Sequence, residues 1–222
     1  MPSTRPLIFI DSADREKVES LFSTGAFVGL TTNPTILERD GARIADLPVI
    51  NAWARAAGAL EVCFQTWGAD AVALRTNAAR LLDIDARTVI KVPATAAGFE
   101  AAEHLIDQGV ALLLTAVFRP SQMVAACAVG ARYVAPYLGR MADTGSSDAM
   151  ADVVAMHRIA EQSGSSTRVL AASVRRADDV ADLVAAGIPA VTLSPALAWD
   201  VLCDDRAEQA AEVFDQTVDR LL

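Results

Sequence analysis

Lysine is almost missing from this chain. Of nineteen lysine and arginine residues only two are lysines, Lys17 and Lys91, which leaves seventeen arginines. Histidine is as scarce. His104 and His157 both fall in stretches of helical spacing, too few and too far apart for a His-rich metal site. The three cysteines, Cys63, Cys127 and Cys203, are odd in number, widely spaced and without a CxxC pair. That excludes a disulfide framework and reads as free thiols in a reducing cytoplasm, most of them buried as small apolar residues. No apolar run is long enough to span a membrane, and Asp11 and Asp14 interrupt the only one near residue 1. Neither a membrane segment nor a secretory signal is expected, and the expected location is the cytoplasm. The prolines and glycines are scattered, with no linker, low-complexity tract or alignable repeat. A formal net charge of −9 argues against nucleic acid, whose phosphates are held by dense basic residues. It leaves room for a small phosphorylated ligand, because two or three well-placed cations can hold one phosphate.

What is present is a large apolar fraction, 53% of 222 residues, against 21% charged. This is enough for a sizeable core in one domain spanning 1–222 and rules out a disordered chain. Short β-branched or apolar runs alternate with longer stretches of helical spacing. The strand-like runs are 7–12, 28–33, 61–67, 88–93, 111–117, 133–138, 168–174 and 190–194. Helical spacing covers 14–23, 69–82, 98–108, 120–129, 148–162 and 177–186. The stretch 196–222 reads as one or two closing helices, with 198–222 forming a C-terminal helical segment. Asp11, Ser12 and Asp14 are candidate caps of the first helix, and Pro120 suits a first helical turn. Gly109, Gly130 and Gly187 stand where helices should stop. Eight strands with helical crossovers predict a closed (β/α)8 barrel, an α/β fold. An open doubly wound sheet is the alternative, weakened by the lack of G-x-G-x-x-G after the first strand.

Barrel chemistry gathers at the C-terminal ends of the strands. Polar residues interrupt the apolar runs there: Asp11, then Thr31, Thr32 and Asn33, then Gln65, Lys91, Thr115, Tyr137 with Arg140 beyond it, and Ser173 with Arg175 beyond it. Side chains two apart share a face. Asp11 is in phase with Leu7 and Phe9, Gln65 with Cys63, Lys91 with Val89, Thr115 with Leu113, and Ser173 with Val169 and Ala171. The pattern predicts a polar ring around one barrel end.

Lys91 is the least expected member, since lysine is rarely buried unless paired. It could be a salt bridge, for instance with Asp11. It could also be chemistry: burial disfavours an ammonium and frees a neutral amine that attacks a carbonyl, which arginine cannot do. The others have bland readings too. Thr31-Thr32-Asn33-Pro34 suits a turn and helix start, Tyr137 a core aromatic, and Ser173 an N-cap.

These phrases resemble the small transaldolase family, in particular its fructose-6-phosphate aldolases. The resemblance runs from about Ile8 to Leu197 through Phe9-Ile-Asp-Ser12, Thr31-Thr-Asn-Pro34, Val89-Ile-Lys-Val-Pro93, Leu114-Thr-Ala-Val117, Tyr133-Val-Ala-Pro-Tyr137, Arg140 and Leu170-Ala-Ala-Ser173. It implies a class I aldolase in which Lys91 forms a Schiff base with a dihydroxyacetone-type donor and the enamine adds to an aldehyde acceptor, chemistry for which no metal or organic cofactor is expected. Gln65, Thr115 and Tyr137 match positions that hold a catalytic water. Asp11 and Asn33 match positions that orient the donor. Arg140, Ser173, Arg175 and Thr31 match phosphate- or substrate-binding positions. The implied partners are keto sugars and aldehydes, phosphorylated in the family, and a homo-oligomer that can be a decamer.

The family's transaldolases are similar to one another in carrying glutamate at the position of Gln65 and phenylalanine at that of Tyr137. The glutamine–tyrosine pair here therefore points to the aldolases. Transfer of a dihydroxyacetone unit is the runner-up, and a non-catalytic phosphosugar-binding barrel a third reading. The chain departs from the pattern at Thr35, Ala142 and Ser146-Ser147-Asp148, which bears on the acceptor. The amphipathic stretch 207–222, with Ala210, Val213, Phe214, Val218 and Leu221, could pack on a neighbouring subunit or on its own barrel.

Overall fold

A computed structural model describes residues 5–145 and 148–222. The readings placed on residues 1–4 and on Ser146 and Ser147 lie outside the described residues. Eight parallel strands, β1 (Leu7–Asp11), β2 (Gly29–Thr31), β3 (Glu61–Gln65), β4 (Val89–Pro93), β5 (Leu112–Val117), β6 (Tyr133–Pro136), β7 (Arg168–Ala171) and β8 (Ala190–Leu193), pair in chain order. β8 returns to β1 and closes the barrel. The helices are α1 (Arg15–Phe22), α2 (Pro34–Arg39), α3 (Leu47–Ala56), α4 (Ala71–Leu82), α5 (Ala96–Asp107), α6 (Pro120–Val129), α7 (Leu138–Asp143), α8 (Ala149–Gln162), α9 (Ala177–Ala185), α10 (Pro195–Leu202) and α11 (Asp205–Leu221).

The strand residues sort by parity into two cores. Phe9, Cys63, Val89, Leu113, Tyr133, Leu170 and Ala190 fill the barrel interior. Their neighbours in sequence, among them Ile10, Val62, Ile90, Leu114, Val169 and Val191, face outward against the helices. An inner and an outer core are what a barrel wrapped in helices requires. The interior is sealed at the N-terminal end of the strands. Tyr133 meets Phe9 edge to face at 6.0 Å. Its hydroxyl accepts from Arg168 at 2.9 Å, and Arg132 and Glu61 form an ion pair beside it. The polar residues needed for chemistry are thereby confined to the other end.

Several elements differ from the sequence reading. β2 and β7 are shorter than the 28–33 and 168–174 runs, because the chain turns into loops after Thr31 and Ala171. α3 and α7 were not expected. The bland reading of the TTNP phrase holds locally: the Asn33 side chain accepts from the Ile36 amide at 3.0 Å and Pro34 opens α2. In α3 the spacing of Leu47, Ile50, Trp53 and Ala54, all buried, is helical and was there to be read. Asp14, and neither Asp11 nor Ser12, caps α1.

The glycines foreseen as helix stops all adopt positive φ. α5, which follows the Lys91 strand, is capped by Thr95, and its Gly98 backs onto β4. A Cβ on Gly98 would lie 1.8 Å from the Pro93 carbonyl oxygen, so only glycine lets α5 sit this close. The C-terminal segment splits into α10 and α11. α11 buries none of its residues, and Val213, Phe214, Val218 and Leu221 stay exposed. Packing of this stripe on its own barrel, one of the two options, is not what the structure has. Among the described residues no helix is long and apolar enough to cross a membrane.

Candidate active site

A cavity of about 210 Å³ opens at the C-terminal end of the strands. Eight of the ten residues to which the resemblance gives a role line it: Asp11, Thr31, Asn33, Lys91, Thr115, Tyr137, Arg140 and Ser173. Gln65 does not. It stands on β3 in register with Lys91 and on the same face, so it flanks the lysine without reaching the cavity wall. Arg175 does not line it either. Its guanidinium forks onto the Asp143 carboxylate, with Nη1 donating at 2.8 Å and Nη2 forming a second, shorter bond.

Lys91 is 5% exposed, and its Nζ donates to the Thr32 carbonyl oxygen at 2.9 Å. Among the described residues it makes no salt bridge. The Asp11 carboxylate is bound elsewhere. The Thr31 hydroxyl donates to Asp11 at 2.5 Å and lies 2.7 Å from the Thr192 hydroxyl. Since Thr31 has one hydrogen and gives it to Asp11, Thr192 is the donor to Thr31. Burial pushes the Asp11 carboxyl above its ordinary range, and the nearby Lys91 charge and the Thr31 hydroxyl pull it only part of the way back. A carboxyl raised in this way next to an amine is placed to exchange a proton with it.

Facing this pair from β5 and β6, the Thr115 and Tyr137 hydroxyls lie 2.9 Å apart. The strand path sets up this meeting. Ala116 takes φ 57°, and the β5–β6 register slips between Leu114 and Val117, so Thr115 sits on a bulge. Tyr137 leaves β6 at its bridge to Ala172 and heads α7. Its ring lies under Arg140, whose Cζ is 4.8 Å from the ring centroid.

Ser173 reaches the cavity by a different route from the expected one. The alternation argument grouped it with Val169 and Ala171, but those face the helices, while Leu170 and Ala172 face the barrel. Ser173 turns back because its φ is 57°, left-handed and strained for a residue with a Cβ. α7 packs directly on this turn: the Gly139 amide donates to the Ser173 carbonyl at 2.9 Å, and a Cβ on Gly139 would stand 2.5 Å from that oxygen. Ser173 is not an N-cap, since Arg176 occupies that position before α9.

Sequence reasoning missed Thr192 and Arg39 among the lining residues. Thr192 shares parity with inward Ala190, so the alternation rule could have found it. Arg39 ends α2, whose helical path had not been drawn, and nothing in the sequence alone aims it at the cavity. The lining thus holds three basic side chains, Lys91, Arg39 and Arg140, and one carboxyl, in a chain that is acidic as a whole. Cys63, below Lys91 in the interior, is no nucleophile, because burial pushes its thiol up to about 12.

Comparison with known proteins finds relatives along nearly the whole chain. The family described as Transaldolase/Fructose-6-phosphate aldolase matches residues 8–221. A probable transaldolase of Caulobacter sp. (strain K31) is 31% identical over 216 residues, 93% of this chain and 94% of the relative. One from Caulobacter vibrioides (strain NA1000 / CB15N) is 30% identical over 211 residues, with the same two coverages.

Proposed function

Because the chain belongs to the transaldolase/fructose-6-phosphate aldolase family and is an enzyme of the transaldolase–aldolase type, we propose that it acts as a class I aldolase of the fructose-6-phosphate aldolase kind, with Lys91 as the Schiff-base residue. The observation that carries this choice over transfer is the Tyr137 hydroxyl, 2.9 Å from Thr115 at the edge of the Lys91 cavity.

The amine of Lys91 adds to the ketone carbon of the donor. The carbinolamine loses water with the help of Asp11, leaving a protonated imine. The imine draws electrons from the C–C bond beyond the next carbon, which breaks as the hydroxyl on its far carbon gives its proton to the Asp11 carboxylate left by the dehydration. An aldehyde departs and an enamine remains on Lys91. Thr115 and Tyr137 hold the water that returns a proton to the enamine carbon, while Gln65, the third residue of the expected set, stands beside Lys91 on β3 outside the cavity wall. Hydrolysis then frees the ketone and the amine. Asn33 and Thr31 orient the donor, while Arg140 and Ser173 hold the phosphate of the sugar.

The assay that tests this reading measures cleavage of fructose 6-phosphate with and without erythrose 4-phosphate. Activity in its absence supports the aldolase, whereas activity only in its presence makes the enzyme a transaldolase. The transfer reading draws on the names of the two Caulobacter relatives, both called probable transaldolases. The exposed apolar stripe of α11 supports assembly into a homo-oligomer.

A further inference from the structure

The family pattern supplies a second basic residue for the phosphate at Arg175, but here Arg175 is forked onto Asp143 and does not line the cavity. Arg39 does line it. We propose that Arg39 is a specificity-determining residue of this enzyme, the second cation that selects a phosphorylated acceptor together with Arg140. The proposal rests on the reading of Arg140 and Ser173 as the phosphate end of the site.

Three features carry it. Arg39 comes from α2 after β2, and Arg140 from α7 after β6. Three strands lie between β2 and β6 on either side of the ring of eight, so the two guanidiniums reach one small cavity from opposite walls. Arg39 is also held in place. Its Nε donates to one Asp40 oxygen at 2.7 Å and its Nη2 to the other at 3.0 Å. Those bonds use one edge of the guanidinium and leave the Nη1 amino group for a ligand.

Asp40 is itself fixed. It is 10% exposed, and the same Oδ2 accepts from the Ser12 hydroxyl and the Ala13 amide, each at 2.8 Å. Its negative charge is therefore shared among several donors, two of them in the turn that follows Asp11. A pre-positioned arginine loses little freedom on binding a phosphate, unlike a free surface side chain.

The test compares wild type, Arg39→Met, Arg39→Lys and Arg175→Met, with dihydroxyacetone as donor. The readout is kcat/KM for glyceraldehyde 3-phosphate divided by that for glyceraldehyde. Loss of one charge-assisted contact predicts a fall in this ratio of roughly tenfold or more in Arg39→Met. Arg39→Lys should fall less, and Arg175→Met less than either. An unchanged ratio in Arg39→Met, or a larger fall in Arg175→Met, overturns the proposal. Calorimetric titration with inorganic phosphate reads the same site without catalysis. The dissociation constant should rise at least several-fold in Arg39→Met, and equal constants overturn the proposal. If no variant, wild type included, condenses either aldehyde while phosphate still binds through Arg39, the aldolase reading fails and this one stands.

Discussion

Tyr137→Phe separates a catalytic hydroxyl from a structural one. The substitution removes one oxygen and keeps the ring, so the face that packs under Arg140 at 4.8 Å survives and substrate binding should change little. The hydrogen bond lost is the one to Thr115. A bond of this kind contributes about 1 kcal/mol to stability, and in a chain of this size that lowers Tm by roughly 2–4 °C. A hydroxyl that positions the proton donor for the enamine is worth far more to the reaction, about 10²–10⁴-fold, or roughly 3–5 kcal/mol. The two effects differ enough for one experiment to tell them apart. Cleavage of fructose 6-phosphate without acceptor should fall by at least about a hundredfold in kcat, with KM within a few-fold. Transfer to erythrose 4-phosphate should be retained, because an enamine that is not protonated waits for an aldehyde. An equal loss of both activities, or an unchanged ratio between them, would refute the role given to Tyr137.

Asp11→Asn should lower activity yet raise stability at neutral pH. Burial lifts the Asp11 carboxyl, so its contribution to stability is complete below the unfolded value of 3.8 and is lost as pH rises through the folded value. The variant should therefore melt higher than wild type at pH 7, and the gap should close towards pH 4. A variant that melts lower at pH 7 would contradict the burial argument. Gly98→Ala tests the packing behind Lys91. Alanine is the better helix former by up to about 1 kcal/mol, but its Cβ would meet the Pro93 oxygen at 1.8 Å. The clash should win, with a Tm several degrees lower and weaker activity as β4 is displaced; a Tm equal to or above wild type would show that α5 can move at no cost.

The barrel was legible because alternation and helical spacing report on burial, and all eight strand-like runs contain a strand of the structure. The cavity lining was legible where alternation persists to the strand end: Asp11 and Lys91 share parity with interior residues and line the cavity, and Thr115 does so too although β5 bulges at that point. Alternation fails where the backbone departs from the pleat. Ser173 enters through a left-handed turn that no period-2 rule foresees. Arg39 and Arg175 were beyond reach for another reason. Where a long side chain on a loop or short helix points depends on its ion-pair partner, and Asp40 and Asp143 were not identifiable as partners from spacing alone.

The central claim is covalent chemistry at Lys91, and reductive trapping addresses it directly. Protein incubated with dihydroxyacetone and sodium borohydride, digested and mapped by mass spectrometry, should carry the reduced donor on the peptide containing Lys91. Lys17, exposed and paired with Asp14, provides the internal comparison and should stay unmodified. Folded protein with no adduct at Lys91, or with equal labelling of Lys17, would contradict the account.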